Sequence, residues 1–537
     1  MKKCAVFLTA FFIMALALSC NNNSETAAGP PYTVQVEEFL NPDLPDLHSY
    51  THAVYGDKII MIGGRTNGLH GQTYSFVLWN SNKSIYVIDT KGWSDPKTWA
   101  VHQMPASDLH MPGAAINGDQ FMANNAEFFT RDTVLYIIGG MLNSNVPTRL
   151  IDPKHPQTSG IEMVPNSKSI DGKIPNNMHT LNYMTAINLP SLVNTVMNKV
   201  AMPMNSIRQV QDSLFQLTGG EVGMIGDTVF LAFGWNFFAS AQPFGDMYSH
   251  QVRRFTFKDD GKNLAINKIP LCPTCGDGHN GYDTLGEFRR RDGSMSVMID
   301  PANGNPGLLF YSGVFKNGAT NFDTPVWITK DSAAEKDFVM RSNVYTCQVV
   351  PVYSQSNKQF YATLLGGMKN ANYTGDPFSG PVLLNSTNAK LIPVDGNNPF
   401  DHIPFSNQFS TVMVDDKHVF SQYLLPDTFP GTKTAFILPA SDTPQNNKYP
   451  RDTLKIGSAP NNGAEAEIIW TLNSTLMLPN GVVDYDAFIK ANPKGGNIGY
   501  LHGGILSVLT NVFGGNAPHY SVASNRIFAI KIVPLAK

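Results

Sequence analysis

Short apolar runs, each introduced by a polar turn and ended by glycine, recur along the chain. The clearest copies are 56–64 (GDKIIMIGG), 131–140 (RDTVLYIIGG) and 226–234 (GDTVFLAFG), and weaker copies lie at 305–313, 357–367, 415–425 and 501–515. Aspartate and asparagine favour tight turns, and apolar runs of this length are typical of buried strands. Glycine at the end of a run indicates a crowded backbone or a positive φ. The pattern therefore predicts repeated β units along the whole chain.

Alternating apolar and polar residues follow these runs and predict further, half-buried strands. One set comprises 84–90, 183–190, 251–257, 325–331, 434–440 and 526–533, and another comprises 98–105 and 263–270. The segment 32–45 (YTVQVEEFLNPDLP) has the same character, although no run precedes it. A strand isolated in this way can complete the last repeat by pairing with 526–533. Closing a ring of repeats removes the free sheet edges at which β proteins aggregate.

The unit of turn, strand and paired glycines, followed by the strand 85–89 and by a strand that begins at Trp99, resembles the kelch repeat. This resemblance implies an all-β fold, a kelch-like β-propeller over residues 32–537. We expect seven four-stranded blades closed by the N-terminal strand, with six or eight blades left open. The plan also resembles kelch-type exported lipoproteins of the Bacteroidota, a likeness that implies a setting and no particular activity.

Charge is scarce in this sequence. Only 15% of residues are charged, and 39 lysines and arginines face 42 aspartates and glutamates, whereas globular chains average about 25% charged residues. This composition excludes a coiled coil and gives no overall surface for nucleic acid. The many glycines, prolines and neutral turns are those that a β-rich fold requires.

The N-terminal residues have the pattern of an export signal. Lys2 and Lys3 precede an apolar run over 5–18, which is too short to span a bilayer comfortably. The run ends before Cys20 in a sequence that resembles a bacterial lipobox, so Cys20 is the expected lipidation site. We therefore predict a lipoprotein signal peptide over 1–19, a flexible tether over 20–31, and an outer-membrane lipoprotein that contacts the membrane only through its lipid. The alternative is an ordinary secretory signal.

Two cysteines form the most specific local motif. Cys272 and Cys275 are separated by two residues, and His279 follows. In an exported protein this spacing favours a disulfide. The alternatives are a structural zinc bound by Cys272, Cys275 and His279, with a fourth ligand such as His250, and free thiols. No other cofactor is expected. Cys347 lies in an apolar strand and is expected to be a buried small hydrophobe.

The kelch resemblance implies ligand binding through loops on one face of the propeller. Polar and aromatic residues near the strand-ending glycines and in other loops are the ligand-binding candidates: Arg65, Asn67, His70, Arg208, Trp235, Asn236, Tyr248, Arg290, His402, Asn407 and His519. Stacking aromatics with planar polar groups suit a glycan. The expected partner is therefore a glycan or an envelope protein. The alternative is that these polar groups only satisfy backbone and water.

An enzymatic alternative uses the same residues. His70 or His402 as base, Tyr248 as acid and an arginine from 289–291 would suit a polysaccharide lyase or sugar epimerase acting on an acidic sugar. Removing a proton beside a carboxylate requires that its charge be neutralised. The basic cluster itself is more often solvated or paired locally. No catalytic residue is assigned.

Overall fold

The structure, a computed structural model, is almost entirely β. It describes residues 29–66, 68–69, 81–109, 116–143, 178–236, 247–281, 283–316, 320–392, 403–431, 461–507 and 521–536. Six four-stranded antiparallel units surround a common axis, which makes the fold a β-propeller with six blades. In the described part of the chain, no helix is long and apolar enough to cross a membrane.

The first three blades follow one another along the chain, and each is built in sequence order from the axis outward. Blade 1 comprises Thr51–Tyr55, Lys58–Ile62, Ser84–Asp89 and Ala100–Pro105. Blade 2 comprises Glu127–Arg131, Val134–Ile138, Tyr183–Asn188 and Ile207–Gln211. Blade 3 comprises Glu221–Ile225, Thr228–Ala232, Val252–Asp259 and Leu264–Ile269.

The remaining blades keep the same order, except that the outer strand of blade 6 comes from the N-terminal end of the chain. Blade 4 comprises Met295–Ile299, Pro306–Phe310, Val326–Ile328 and Ala333–Glu335. Blade 5 comprises Gln348–Ser354, Gln359–Leu365, Gln408–Asp415 and Phe420–Thr428, with Val382–Leu383 added at its outer edge. Blade 6 comprises Asn461–Trp470, Gly496–Ser507, Ile527–Pro534 and the N-terminal strand Tyr32–Phe39.

The N-terminal strand closes the ring. It pairs antiparallel with the last strand of the chain, with Tyr32 opposite Pro534 and Phe39 opposite Ile527. The predicted closure is confirmed. Because this pairing joins the two ends of the propeller in one sheet, separation of blade 1 from blade 6 requires the N-terminal strand to detach.

The prediction of seven blades is wrong. A count of seven gives the units at 357–367 and 415–425 one blade each, but they belong to one sheet. Strand Gln359–Leu365 pairs with Gln408–Asp415, which pairs in turn with Phe420–Thr428. The turn at 415–420 therefore opens the outer hairpin of blade 5. The sequence pattern around this turn resembles that around the turn between the first two strands of a blade, because both turns connect buried strands.

The strand-ending glycines lie where neighbouring blades approach most closely. A Cβ on Gly63 would lie 2.3 Å from the carbonyl oxygen of Ala123, and one on Gly503 would lie 2.4 Å from that of Leu47. Gly64 N donates to Ala123 O at 2.8 Å, which ties blade 1 to blade 2. Both Gly63 and Gly64 have positive φ. Crowding and backbone conformation together explain the glycine motif.

The chain after these glycines crosses one face of the propeller, which we call the upper face. Short hairpins form there in four blades: Met141–Asn143 with Met178–Thr180, Trp235–Asn236 with Met247–Tyr248, Val314–Lys316 with Thr320–Asn321, and Ala371–Tyr373 with Ala389–Leu391. The opposite face, here the lower face, carries two helices, Leu189–Asn198 and Tyr485–Ala491. Neither helix was predicted.

The apolar core lies mainly between blades. One buried cluster joins Ile60 of blade 1 to Leu135 of blade 2, and another joins Tyr136 of blade 2 to Leu231 of blade 3. Similar clusters lie between the other neighbouring blades. Both faces of each sheet are therefore covered, and this burial fits the largely apolar strands and the shortage of charge.

We predict that the closing strand stabilises the whole ring. Val34 is fully buried, and Val34→Ala removes two buried carbons, which should lower the free energy of unfolding by about 1.5 kcal/mol. Chemical denaturation measures this change. The matched control is Gln35→Ala at the next, exposed position, which should change stability by less than about 0.5 kcal/mol. Equal effects of the two substitutions would contradict a packing role for this strand.

Candidate functional site

A cavity of about 530 Å³ lies on the propeller axis. The first strand of every blade contributes to its wall, including His52, Glu127, Glu221, Gln348 and Glu467. We call this cavity the axial channel. Its volume lies within the range of small-ligand sites in proteins, about 300–1,000 Å³.

A closed belt of hydrogen bonds encircles the upper end of the channel. Each blade contributes one position to the belt: Ser49, Asn125, Gly219, Asp292, Thr346 and Glu465. In five links, the backbone N–H of one belt residue donates to the backbone C=O of the belt residue in the preceding blade. The donor and acceptor residues are Asn125 and Ser49 (3.1 Å), Asp292 and Gly219 (2.8 Å), Thr346 and Asp292 (3.1 Å), Glu465 and Thr346 (2.9 Å), and Ser49 and Glu465 (3.4 Å). The hydroxyl of Thr218 completes the circle by donating to Asn125 O at 3.0 Å. The belt therefore fixes the inner strands relative to one another.

The two ends of the channel differ in the exposure of their described residues. Along the first strand of blade 2, Glu127 is buried near the belt, whereas Thr130 and Arg131 at the lower end are exposed. Above the belt, described loop residues of blades 1, 4, 5 and 6 form a buried apolar cluster that includes Leu69, Val314, Met368 and Ile505. Among the described residues, access is therefore greater at the lower end.

Carboxyl groups dominate the polar lining. Five of them reach the channel: Glu127, Glu221, Asp292, Glu465 and Glu467. Two arginines provide nearby positive charge. Arg291 Nε lies 3.3 Å from Asp292 Oδ2, and the charge of Arg253 acts on Glu127. Among the described residues, acidic groups at the channel therefore outnumber basic groups.

Burial and mutual repulsion raise the pKa of most of these acids. Burial is the main cause at Glu127, where the pKa rises to about 8, and at Asp292, where it rises to about 7. Burial and neighbouring carboxylates also raise the pKa of Glu221 and of Glu467 well above the usual range. Near neutral pH the channel therefore contains protonated carboxyl groups, which donate as well as accept hydrogen bonds.

Glu465 connects the belt to a buried polar network. Its Oε1 accepts a hydrogen bond from Tyr345 OH at 2.9 Å, and its Oε2 accepts one from Ser49 Oγ. His48 Nδ1 lies 2.7 Å from the same Ser49 oxygen. These partners hold the Glu465 side chain in one position at the upper end of the channel.

Two aromatic side chains flank the channel. Trp470 and Phe128 both contribute to its wall and are half-buried. The ring of His52 lies edge-to-face with that of Phe128, with centroids 5.0 Å apart. His52 Nδ1 also lies 3.7 Å from Glu467 Oε2, and burial lowers the pKa of His52 to about 4. A neutral imidazole, carboxyl groups and aromatic faces thus share one cavity.

Several predicted ligand-binding residues have structural partners. Arg208 forms a buried bidentate pair with Asp259, at 2.7 and 2.6 Å. Arg290 is fully buried, and its Nη2 lies 2.5 Å from Glu335 Oε1. Asn407 Oδ1 accepts the backbone N–H of Asn462 at 2.8 Å. The positions of these three side chains are explained by the packing of the blades.

Other predicted residues come together on the upper face of blades 3 and 4. Trp235 and Tyr248 pair across a short hairpin and are largely buried. The guanidinium of Arg291 lies 3.6 Å from the centroid of the Trp235 ring, and that of Arg289 lies 4.0 Å from the Tyr248 ring. Cation–π contacts therefore engage two residues of the predicted basic cluster.

The remaining candidates have diverse placements. Arg65 is buried and forms backbone bridges to His48 and Ser81, and Asn236 is half-buried beside Met247. The other candidates, together with the predicted lipidation site, lie outside the described residues: Cys20, Asn67, His70, His402 and His519.

Cys272 and Cys275 form a disulfide in the structure, with their Cα atoms 5.0 Å apart. In this state neither sulfur is a thiolate ligand for zinc. His279 instead pairs with Asp283. Cys347 is a free, buried cysteine. Among the described residues, no group of three or more histidine, cysteine, aspartate and glutamate side chains has the arrangement of a metal site.

The channel carboxyl groups were not predicted from the sequence. They lie on or beside the first strands, whose short and mixed patterns gave no strand prediction. A usable signal did exist, because Glu127 and Glu221 each lie on the segment just before a turn-and-glycine unit. A glutamate repeated at that place would face the axis once the blades are aligned.

Comparisons with known proteins add little. No family profile matches the chain, and no curated protein matches it. Among solved structures, one titled "Structure of YjhT" is similar, with 12% identity, a TM-score of 0.34, and coverage of 69% of this chain and 83% of that chain. A likeness at this level carries no argument about function, so the kelch resemblance stays a prediction.

We predict that Glu127 makes stability depend on pH. Its pKa is raised from 4.5 to about 8, so the folded state retains a proton that the unfolded state releases. The free energy of unfolding should therefore fall as pH rises from about 5 to 8. Glu127→Gln should reduce this fall by at least about 1.4 kcal/mol, the equivalent of one pKa unit. Denaturation at several pH values measures the slope. The control Glu37→Gln, at an exposed position, should leave the slope unchanged, and an unchanged slope in Glu127→Gln would contradict the prediction.

Proposed function

We propose that this protein is a glycan-binding propeller whose ligand, a neutral sugar chain, enters the axial channel from the lower face. The observation that carries the proposal is the shared lining of the channel, which combines five carboxyl groups with the half-buried rings of Trp470 and Phe128. Sugar hydroxyl groups donate to carboxylates and accept from protonated carboxyls, and sugar rings stack on aromatic faces.

The charge of the channel supports a neutral ligand. A uronate or sialate would bring its carboxylate next to Glu221 and Glu467, whose pKa values are already raised by burial and by neighbouring acids. Another anion would increase that repulsion. Arg291, which directly precedes the belt residue Asp292, already contacts the rings of Trp235 and Phe315 and the Asp292 carboxylate. A neutral polyhydroxylated ligand adds no charge and uses the existing donors and acceptors.

The acidic-sugar lyase or epimerase is therefore the weaker alternative for this channel. The observation in its favour lies on the upper face, where Arg289 and Arg291 surround Tyr248. These arginines contact the flat face of the ring, a geometry that places neither charge directly at the phenolic oxygen. Formation of unsaturated uronates from acidic polysaccharides would support the alternative.

We also propose that the protein is anchored to the cell envelope through Cys20. The strand that closes the ring starts at Tyr32 beside Pro534, at the lower end of blade 6. A tether over 20–31 would then leave from the face on which the channel opens and reach at most about 40 Å. Labelling of cells with a palmitate analogue, compared between the native protein and Cys20→Ser, tests the anchor, and equal labelling would overturn it.

We predict that Trp470 contributes to sugar binding. A glycan array of neutral and acidic oligosaccharides selects the probe, and calorimetry with the best neutral oligosaccharide measures its affinity. Trp470→Ala should weaken binding about tenfold, because a lost aromatic contact costs about 1.4 kcal/mol. The matched control is Trp93→Ala, a half-buried tryptophan stacked on Tyr500 at the edge of blade 1, which should bind normally.

Two outcomes would overturn the glycan proposal. The first is an array on which only acidic glycans, or none, bind. The second is equal affinity of Trp470→Ala and the native protein for the neutral oligosaccharide. Circular dichroism of both tryptophan variants establishes that a loss of binding is not a loss of fold.

A further inference from the structure

Two histidines and two aspartates meet on the propeller beside blade 3, away from the axial channel. His250 lies just before the third strand of blade 3, and Asp277, His279 and Asp283 lie in the loop that follows the disulfide Cys272–Cys275. We call these four residues the histidine–aspartate cluster. The channel proposal assigns it no role.

Each histidine is oriented through the same ring nitrogen. His250 Nδ1 lies 3.3 Å from Asp277 Oδ2, and His279 Nδ1 lies 2.6 Å from Asp283 Oδ2. The Nε2 atom of His250, whose side chain is fully buried, has no hydrogen-bond partner among the described residues. Among the described residues, the side-chain hydrogen bond of His279 likewise uses Nδ1 and leaves Nε2 without a protein partner. Both Nε2 atoms are therefore available as ligands.

The two rings are close enough to share one ion. Their centroids are 6.1 Å apart, at an interplanar angle of 40°. An imidazole bound through one nitrogen has its centre about 3.2 Å from the metal, so two rings on one ion lie at most about 6.4 Å apart. The observed separation is compatible with coordination by both rings after a small movement of the partly exposed His279.

The surrounding backbone holds the cluster in place. Asp277 accepts the backbone N–H of His279 at 2.9 Å and that of Phe288 at 2.7 Å, so it fixes the loop as well as His250. Gly286 packs against both Asp277 and His279, where a Cβ would lie 2.3 Å from Asp277 Oδ2. The left-handed φ of 51° at His250 is a further local constraint. A backbone fixed to this degree pre-positions the two imidazoles.

We propose that His250 and His279 bind a divalent transition-metal ion through their Nε2 atoms. Carboxylates bonded to Nδ1 are the usual outer partners of metal-bound histidines, because they set the tautomer and orientation of the ring. Imidazole ligands suit copper and zinc, and Cu²⁺ binds more tightly than Zn²⁺ at a given nitrogen site. Since the described residues include no third ligand in place, water completes the coordination shell.

Copper binding to the purified full chain tests the proposal. Calorimetry with Cu²⁺ should give one saturable site, and electron paramagnetic resonance should show two coupled nitrogens. His279→Ala should weaken the affinity at least tenfold and leave one nitrogen. Asp283→Asn, which retains both imidazoles, should weaken it about tenfold, as expected for loss of an outer partner.

The matched control is His418→Ala. His418 also pairs with a carboxylate, with its Nε2 2.7 Å from Asp300 Oδ1, and is partly exposed, but its ring contacts Trp327 instead of a second histidine. This variant should bind copper as the native protein does. The proposal is overturned if the native chain shows no saturable copper site, if His279→Ala and His418→Ala bind equally, or if the spectrum keeps two nitrogens in His279→Ala.

Discussion

The belt of hydrogen bonds around the axis is the constraint on which the rest of the structure depends. In five of its six links a backbone N–H donates to the C=O of the belt residue in the neighbouring blade, and the hydroxyl of Thr218 makes the sixth link. Four non-glycine members, Ser49, Asn125, Asp292 and Glu465, adopt left-handed φ values of 53°, 49°, 48° and 57°. Each such conformation costs on the order of 1–2 kcal/mol. The belt bonds and the inter-blade packing must offset this cost, so an incomplete ring would lose part of what offsets it.

Completion of the ring explains two features that lie far from the axis. Paired glycines are needed in blades 1, 2, 5 and 6 because the second strand there ends against the backbone that leads into the next belt position, as Gly63 does against Ala123. The N-terminal strand is needed because blade 6 lacks its own outer strand and takes Tyr32–Phe39 from the other end of the chain. The closure and the belt thus constrain blade 6 at its outer and inner edges.

These dependencies determine how much the sequence could predict. The glycine units and the N-terminal strand were predictable because crowding and ring closure leave local patterns at Gly63–Gly64 and at 32–45. The number of blades was not predictable from the sequence. The turn at Asp415 connects the two outer strands of blade 5, but it has the same residue types as the turns that connect inner strands in other blades. The channel was missed for a different reason. Glu127, Glu221 and Glu467 meet only when distant blades are arranged around one axis. The helix Tyr485–Ala491 was missed because it depends on packing against blade 5, where Asp486 accepts hydrogen bonds from the hydroxyls of Ser354 and Ser356.

The acidic channel opposes the stability that the belt provides. Burial raises the pKa of Glu127, Glu221, Asp292 and Glu467, so ionisation of these groups destabilises the folded state. Apolar residues at the same positions would avoid that cost, as leucine and isoleucine do between the blades. Residues that break the local rule for a stable core are expected where function requires them. The rigid belt makes the arrangement tolerable, since it holds the carboxyl groups in place against their mutual repulsion and leaves them lining the channel.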